Sequence, residues 1–180
     1  MQAKQWWQVL GLAVLLLFLC KMSVMVLDKE LHQQHFSIGS DTDASLARLS
    51  RNPSQDKRGW LLDPLKAAAQ AGLSGGAIEC TAVHAGEIQV GAVRANHRHH
   101  FCNETFLLWN ARALFRLENA FMDNGYAQAV VEAGEVSIAA APAGRAHALA
   151  NIDRHKTLFF LACQDNPENP MTDFRIWDDL

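Results

Sequence analysis

An all-β domain, closed as an antiparallel barrel or sandwich and preceded by an apolar tether, is the fold class this sequence predicts. Two observations carry that expectation. From Ala77 onward the chain breaks into about eight short β-type runs separated by turn formers, with no long amphipathic helix among them. Near the amino end, Trp6 to Leu27 is almost wholly apolar, a span of roughly 20 residues such as a bilayer core requires of a helix.

Residues 1–27 read as a transmembrane signal anchor. The Leu-rich centre runs from Leu10 to Leu19, Lys4 precedes it, and no small-x-small cleavage site follows; a cleaved secretory signal is the alternative. Lys4 and the free amine before the span, against a mixed Asp28-Lys29-Glu30 after it, favour a cytosolic amino end. The domain is then expected on the lumenal side of the ER or Golgi membrane, or secreted if the segment is removed. Residues 28–59 contain Ser40-Asp41-Thr42-Asp43 and a polar run from Asn52 to Arg58, and read as a stalk. Within residues 60–76 a short helix is expected: Asp63 as N-cap, Pro64 in the first turn, good helix formers from Leu65 to Ala71, and Gly72 to close it.

Residues 77–180 form the expected β domain with its C-terminal tail. Candidate strands are Ala77 to His84, Ile88 to Arg94, Thr105 to Trp109, Ala113 to Glu118, Ala127 to Glu132, Glu135 to Ala140, Ala146 to Ile152 and Thr157 to Cys163. Turn formers such as Ala85-Gly86, Asn110, Asp123-Asn124-Gly125, Gly134 and Pro142-Ala143-Gly144 lie between them. A formal net charge of −3 supplies no basic stripe, so nucleic acid is not an expected partner. Cys20 falls in the apolar span, leaving Cys80, Cys102 and Cys163. One bridge is allowed and none is required: if the first and last strands are neighbours the pair is Cys80 with Cys163, and three reduced thiols are the alternative. The glycan acceptor pattern Asn103-Glu104-Thr105 encloses a candidate site residue and is expected to be unused.

The chemistry concentrates in His97-Arg98-His99-His100-Phe101-Cys102-Asn103-Glu104 and in Pro142-Ala143-Gly144-Arg145-Ala146-His147. On an extended strand, residues two apart share a face, so His97 and His99 can aim at one point while Arg98 faces away. Glu104 follows a turn-compatible stretch and can return beside them; His147 is the fourth group, from a distant strand. Three imidazoles and a carboxylate suit one divalent ion, Zn, Fe, Mn or Ni. With four protein ligands, a five- or six-coordinate ion retains open positions for water or substrate.

Gly91, five residues, His97-x-His99, four residues and Glu104 resemble the first motif of the cupin superfamily. Gly134, Pro142-x-Gly144, two residues, His147, three residues and Asn151 resemble the second. Asn110-Ala111 stands where the family closes its first motif with Gly, and Asn tolerates the left-handed turn. The lead from Gly134 to Pro142 is longer than the family's. The likeness covers Ile78 to Cys163 and implies a cupin-type jelly roll with His97, His99, Glu104 and His147 as metal ligands. Arg94 to His100, Ala113 to Glu118 and the tail Asn166 to Phe174 are similar to small RmlC-like cupins acting on nucleotide-linked sugars, and to a single-domain group of plants and algae.

Around that centre, His100 is a candidate acid or base at the rim, against an outward polar residue. Tyr126, the only tyrosine, is a candidate proton donor, against a strand start. Arg145 is a candidate for holding a ligand's carboxylate or phosphate, against a solvated loop arginine. His84, Cys102 and His155 are assigned to packing or surface. The function these residues suggest is a membrane-anchored metal-binding enzyme that epimerises or isomerises a small polar substrate such as a sugar derivative. Iron-dependent dioxygenation and a non-catalytic sugar- or ligand-binding module are the alternatives. A homodimer is an expected assembly, because open sheets leave edges to pair.

Overall fold

The computed structural model describes residues 38–49, 55–167 and 172–180. In chain order it has β1 (Ile38–Asp41), β2 (Leu46–Leu49), a small hairpin of β3 (Gln55–Asp56) and β4 (Gly59–Trp60), helix α1 (Pro64–Gln70), β5 (Ala82–Ile88) and β6 (Val93–His99). Then follow β7 (Glu104–Trp109), β8 (Ala113–Glu118), β9 (Tyr126–Val131), β10 (Val136–Ala141), β11 (Ala146–Asn151), β12 (Leu158–Gln164) and β13 (Thr172–Phe174). One sheet has the order β1-β2-β10-β7-β12-β5 and the other β13-β6-β11-β8-β9. The sequential crossings between them make the antiparallel β-sandwich that the periodicity predicts.

The core lies between the sheets. Leu46, Ile88, Phe106, Leu108 and Leu158 come from one, Phe115, Leu117, Val131 and Leu149 from the other, and all nine are at most 2% exposed. Residues two apart keep to one face of a strand. Phe106 and Leu108 on β7 therefore share their face with Glu104, and Leu158, Phe160 and Ala162 on β12 share theirs with Gln164. Near one end of the sandwich the inward positions change from apolar to polar.

α1 forms as its caps dictate. The Asp63 carboxylate accepts from Lys66 N at 3.0 Å, Pro64 opens the first turn, and Gly72, at φ +69°, closes the helix with Leu73 N donating to Ala68 O. Asn110 has φ +85°, the left-handed conformation expected of it.

Three expectations need correction or completion. The stalk is one: residues 38–49, read as polar tether, form the β1–β2 hairpin, and β2 pairs with β10. Ala44, Leu46, Ala47 and Leu49 are buried, so a few spaced apolar residues suffice when a neighbouring strand satisfies the backbone. The second concerns strand limits. Ala85-Gly86 is not a turn but the middle of β5, because a Cβ at Gly86 would meet the Phe160 ring at 2.8 Å. The turn comes later, around Gly91 at φ +74°, which places His97 and His99 at the end of β6. Third, Cys80 and Cys163 form a disulfide, and Cys102 is free and buried. The expected membrane span at 6–27 lies outside the described residues; among those described, no helix is long and apolar enough to cross a membrane.

Joining residues 83 positions apart, the disulfide restricts a long loop of the unfolded chain. Replacing Cys80 and Cys163 together by Ser is expected to lower stability by about 2–5 kcal/mol, read as a lower urea midpoint with a larger m-value, since the freed unfolded chain exposes more surface.

Candidate metal centre

β6 and β11 bring the imidazoles together. His97 and His147 are directly opposed in the ladder, and His99 stands two residues along the same face of β6. Between His147 and Leu149 the register shifts, so that Ala148 of β11 faces two residues of β6, Ala95 and Asn96. Ala95, at φ +55°, lies in this bulge, a device that re-aims neighbouring side chains. Asn96 braces it by accepting from Ile176 N and Trp177 N and donating to Trp177 O at 2.7 Å. Glu104 enters from the other sheet as the first residue of β7. The loop before it is fixed: Asp165 accepts from Asn103 N at 2.9 Å and Nδ2 at 2.8 Å, and Asn103 Oδ1 accepts from Ala143 N. The Asn103 amide is thus used internally.

One ligand atom from each of His97, His99, Glu104 and His147 lies within 4.8 Å of the others. Bonds of about 2.1 Å would put opposed ligand atoms about 4 Å apart, so the group needs little contraction to hold an ion. His147 Nε2 lies 3.1 Å and His99 Nε2 3.6 Å from Glu104 Oε2. Thr172 Oγ1, on β13, is 3.1 Å from His99 Nδ1, leaving His99 Nε2 to face the cluster.

The electrostatics fit a cation. Burial, then the neighbouring His147 and His99, lowers the His97 pKa from 6.5 to about 4. Burial likewise lowers His99, against the pull of Glu104. Burial pushes the Glu104 carboxyl up, yet the His147 hydrogen bond and the surrounding imidazoles outweigh it, and the net value is below the ordinary one. A 4% exposed carboxylate of lowered pKa beside His97 and His99, whose protonation burial disfavours, suits a cation. His97 Nε2 is buried with no hydrogen-bond partner, which is the condition of a lone pair meant for an ion.

A cavity of about 470 Å³ opens over this group. His97, His99, Glu104 and Gln164 line its polar end, Phe106, Phe160 and Phe174 its walls, and Arg94 and His84 also line it. The structure thus brings all four expected ligands to one place, but not the three residues expected around them. His100 Nε2 sits 3.0 Å from Asp173 Oδ2, in an ion-pair network with Arg98. Tyr126 lies under the Arg116 guanidinium, 4.1 Å from its ring centre, and edge-on to Trp177. The Arg145 guanidinium donates to the Glu118 carbonyl. None of the three, for which acid–base and substrate roles were expected, lines the cavity. Conversely His84 and Cys102, assigned to packing or surface, do line it. Gln164 was missed, although its signal was present: it is the polar end of an alternating inward face, Leu158, Phe160, Ala162, Gln164.

No family model and no curated protein matches the sequence. Solved structures do. The chain is similar to the RmlC epimerase of Mycobacterium tuberculosis, with 13% identity and a TM-score of 0.52 over 77% of this chain and 72% of that one. It is similar to the dTDP-4-dehydrorhamnose 3,5-epimerase of Elizabethkingia anophelis, with 15% identity and a TM-score of 0.50 over 81% and 87%. The capsular polysaccharide assembling protein CapF of Staphylococcus aureus matches at 17% identity and a TM-score of 0.44, over 76% of this chain and 33% of that one. This chain therefore spans about a third of CapF. The first two likenesses establish the cupin-type fold.

His97 predicts the pH response of the metal-free chain. Its pKa is lower in the fold than the ordinary 6.5, so between pH 6.5 and about 4 the unfolded chain binds more protons, and stability falls as pH falls. Glu104, also depressed, adds a further loss below the ordinary carboxylate value of 4.5. The urea midpoint is expected to drop from about pH 7.5 to about pH 5, and His97→Gln to flatten that slope; a level midpoint in the wild type would contradict the burial argument.

Proposed function

We propose that this cupin barrel is a metal-dependent enzyme acting on a small polar substrate, with epimerisation or isomerisation of a sugar derivative as its reaction. The observation that carries the reading is the convergence of His97, His99, Glu104 and His147, with one imidazole nitrogen unpartnered, at the polar end of a cavity sized for a small molecule. When bound, a divalent ion would supply Lewis acidity to a carbonyl or enolate oxygen. The chain's own residues do the rest. His97, His99, Glu104 and His147 hold the ion, the aromatic walls exclude water from the reacting carbon, and Arg94 is placed to steady an anionic part of the substrate. His84 takes the proton-moving role expected of His100, since its imidazole lines the cavity outside the four ligands. The two epimerases that share the fold support the reaction class by analogy of architecture only.

Iron-dependent dioxygenation is a second reading, favoured by one observation: with His100, Tyr126 and Arg145 outside the lining, the cavity walls are chiefly apolar. We further propose that the domain operates in an oxidising compartment, lumenal or extracellular, tethered through residues 1–27. The Cys80–Cys163 disulfide supports the compartment, since such bonds persist there.

The full chain is expected to purify with one divalent ion, and His97→Ala with His147→Ala to reduce bound metal to background while the fold, followed by circular dichroism, survives. Solvent-hydrogen exchange into keto-sugars, lost in His84→Gln, supports the isomerase. Iron with oxygen uptake supports the dioxygenase instead, and ligand binding with no turnover reduces the protein to a binding module. Unchanged metal in the double variant removes the site altogether.

A further inference from the structure

We infer that Gln164 is a positioning residue of the metal centre: its side-chain amide holds one oxygen of Glu104 so that the carboxylate offers only the other to the ion. This rests on the metal reading above. Gln164 is 8% exposed and stands directly across from Glu104 in the β7–β12 ladder. Its Nε2 donates to Glu104 Oε1 at 3.1 Å and lies 3.4 Å from His99 Nε2. The second oxygen, Oε2, is turned the opposite way, 3.1 Å from His147 Nε2 and 3.6 Å from His99 Nε2. The two oxygens of one carboxylate are thus assigned to different partners, one to a protein donor and one to the ligand cluster.

The terminal torsion of a glutamate is soft and roughly two-fold, so a carboxylate with nothing on Oε1 can turn and bind an ion through both oxygens, as carboxylates readily do. Two-oxygen binding uses a coordination position that water or substrate needs. A neutral amide suits the task. A carboxylate at position 164 would repel Glu104, and an ammonium would compete with the ion for it. The backbone of Gln164 is secured separately, its carbonyl accepting from Thr81 N at 2.9 Å, so removing the amide leaves the ladder in place. Outer partners of this kind typically govern metal affinity by about 10–100-fold.

The test is Co²⁺ binding by the full chain, with affinity read by chelator competition and coordination read from the visible absorption of the bound ion. Gln164→Met keeps the length of the side chain and removes the donor. In the folded variant it is expected to weaken Co²⁺ binding by about 10–100-fold and to change the intensity and position of the visible bands, alongside a lower metal-free melting temperature from the lost partner of Glu104. Gln164→Leu is the second variant and decides the matter if the Met variant does not fold. Wild-type affinity and an unchanged spectrum in either folded variant overturn the assignment of Gln164 alone. A wild-type chain that binds no Co²⁺ overturns the metal reading, and this inference with it.

Discussion

The buried charge of Glu104 is the constraint on which the rest of the structure depends. A carboxylate withdrawn from water costs several kcal/mol unless partners surround it, and Glu104 is 4% exposed. Its partners come from both sheets: Gln164 beside it on β12, His147 and His99 across the sandwich on β11 and β6. A shift of one residue in either ladder would turn these side chains to the opposite face. The charge is therefore satisfied in a single register of the two sheets, and the group that meets there is deficient in positive charge.

The end of β12 shows how the chain enforces that register. Three consecutive residues act on three sides. Cys163 is tied by its disulfide to Cys80, Gln164 reaches Glu104 within the sandwich, and the Asp165 carboxylate holds the backbone and side chain of Asn103, just before Glu104, and the backbone of Ile78. A covalent link and charge-assisted hydrogen bonds converge on the turn that launches β7. Such fixation is what a ligand cluster needs, since its donor atoms must be held to within about 0.5 Å.

Much of this was legible in the sequence, for a physical reason. Strand period and ligand spacing are local, so His97-x-His99, the later Glu104 and the β runs on either side point to two sheets and a four-residue cluster. What could not be read is what only pairing decides. The hairpin of Ile38 to Leu49 hid among Ser and Asp residues because four small or branched apolar side chains are a weak signal before β10 is known to lie beside them. Gly86 mimicked a turn because its reason, the ring of Phe160, is 74 residues away along the chain and adjacent in space. Thr172 and Phe174 came to the site by pairing of β13 with β6, opposite His99 and His97, and nothing in their own spacing marks them.

The same period explains why His100 lies outside the cavity lining. In the segment Arg98-His99-His100 the alternation that turns His99 inward leaves Arg98 and His100 sharing the other side, and both reach Asp173. Arg98 also takes the Glu118 carboxylate, whose Oε2 accepts from Ala146 N, one residue before His147. The outward face of β6 is thus a charged clamp that joins β8, β11 and β13 across the back of the site. Arg98 and His100, interleaved with His97 and His99 in sequence, thus hold these strands together, while the opposite parity turns His97 and His99, like His84 on β5, toward the cavity.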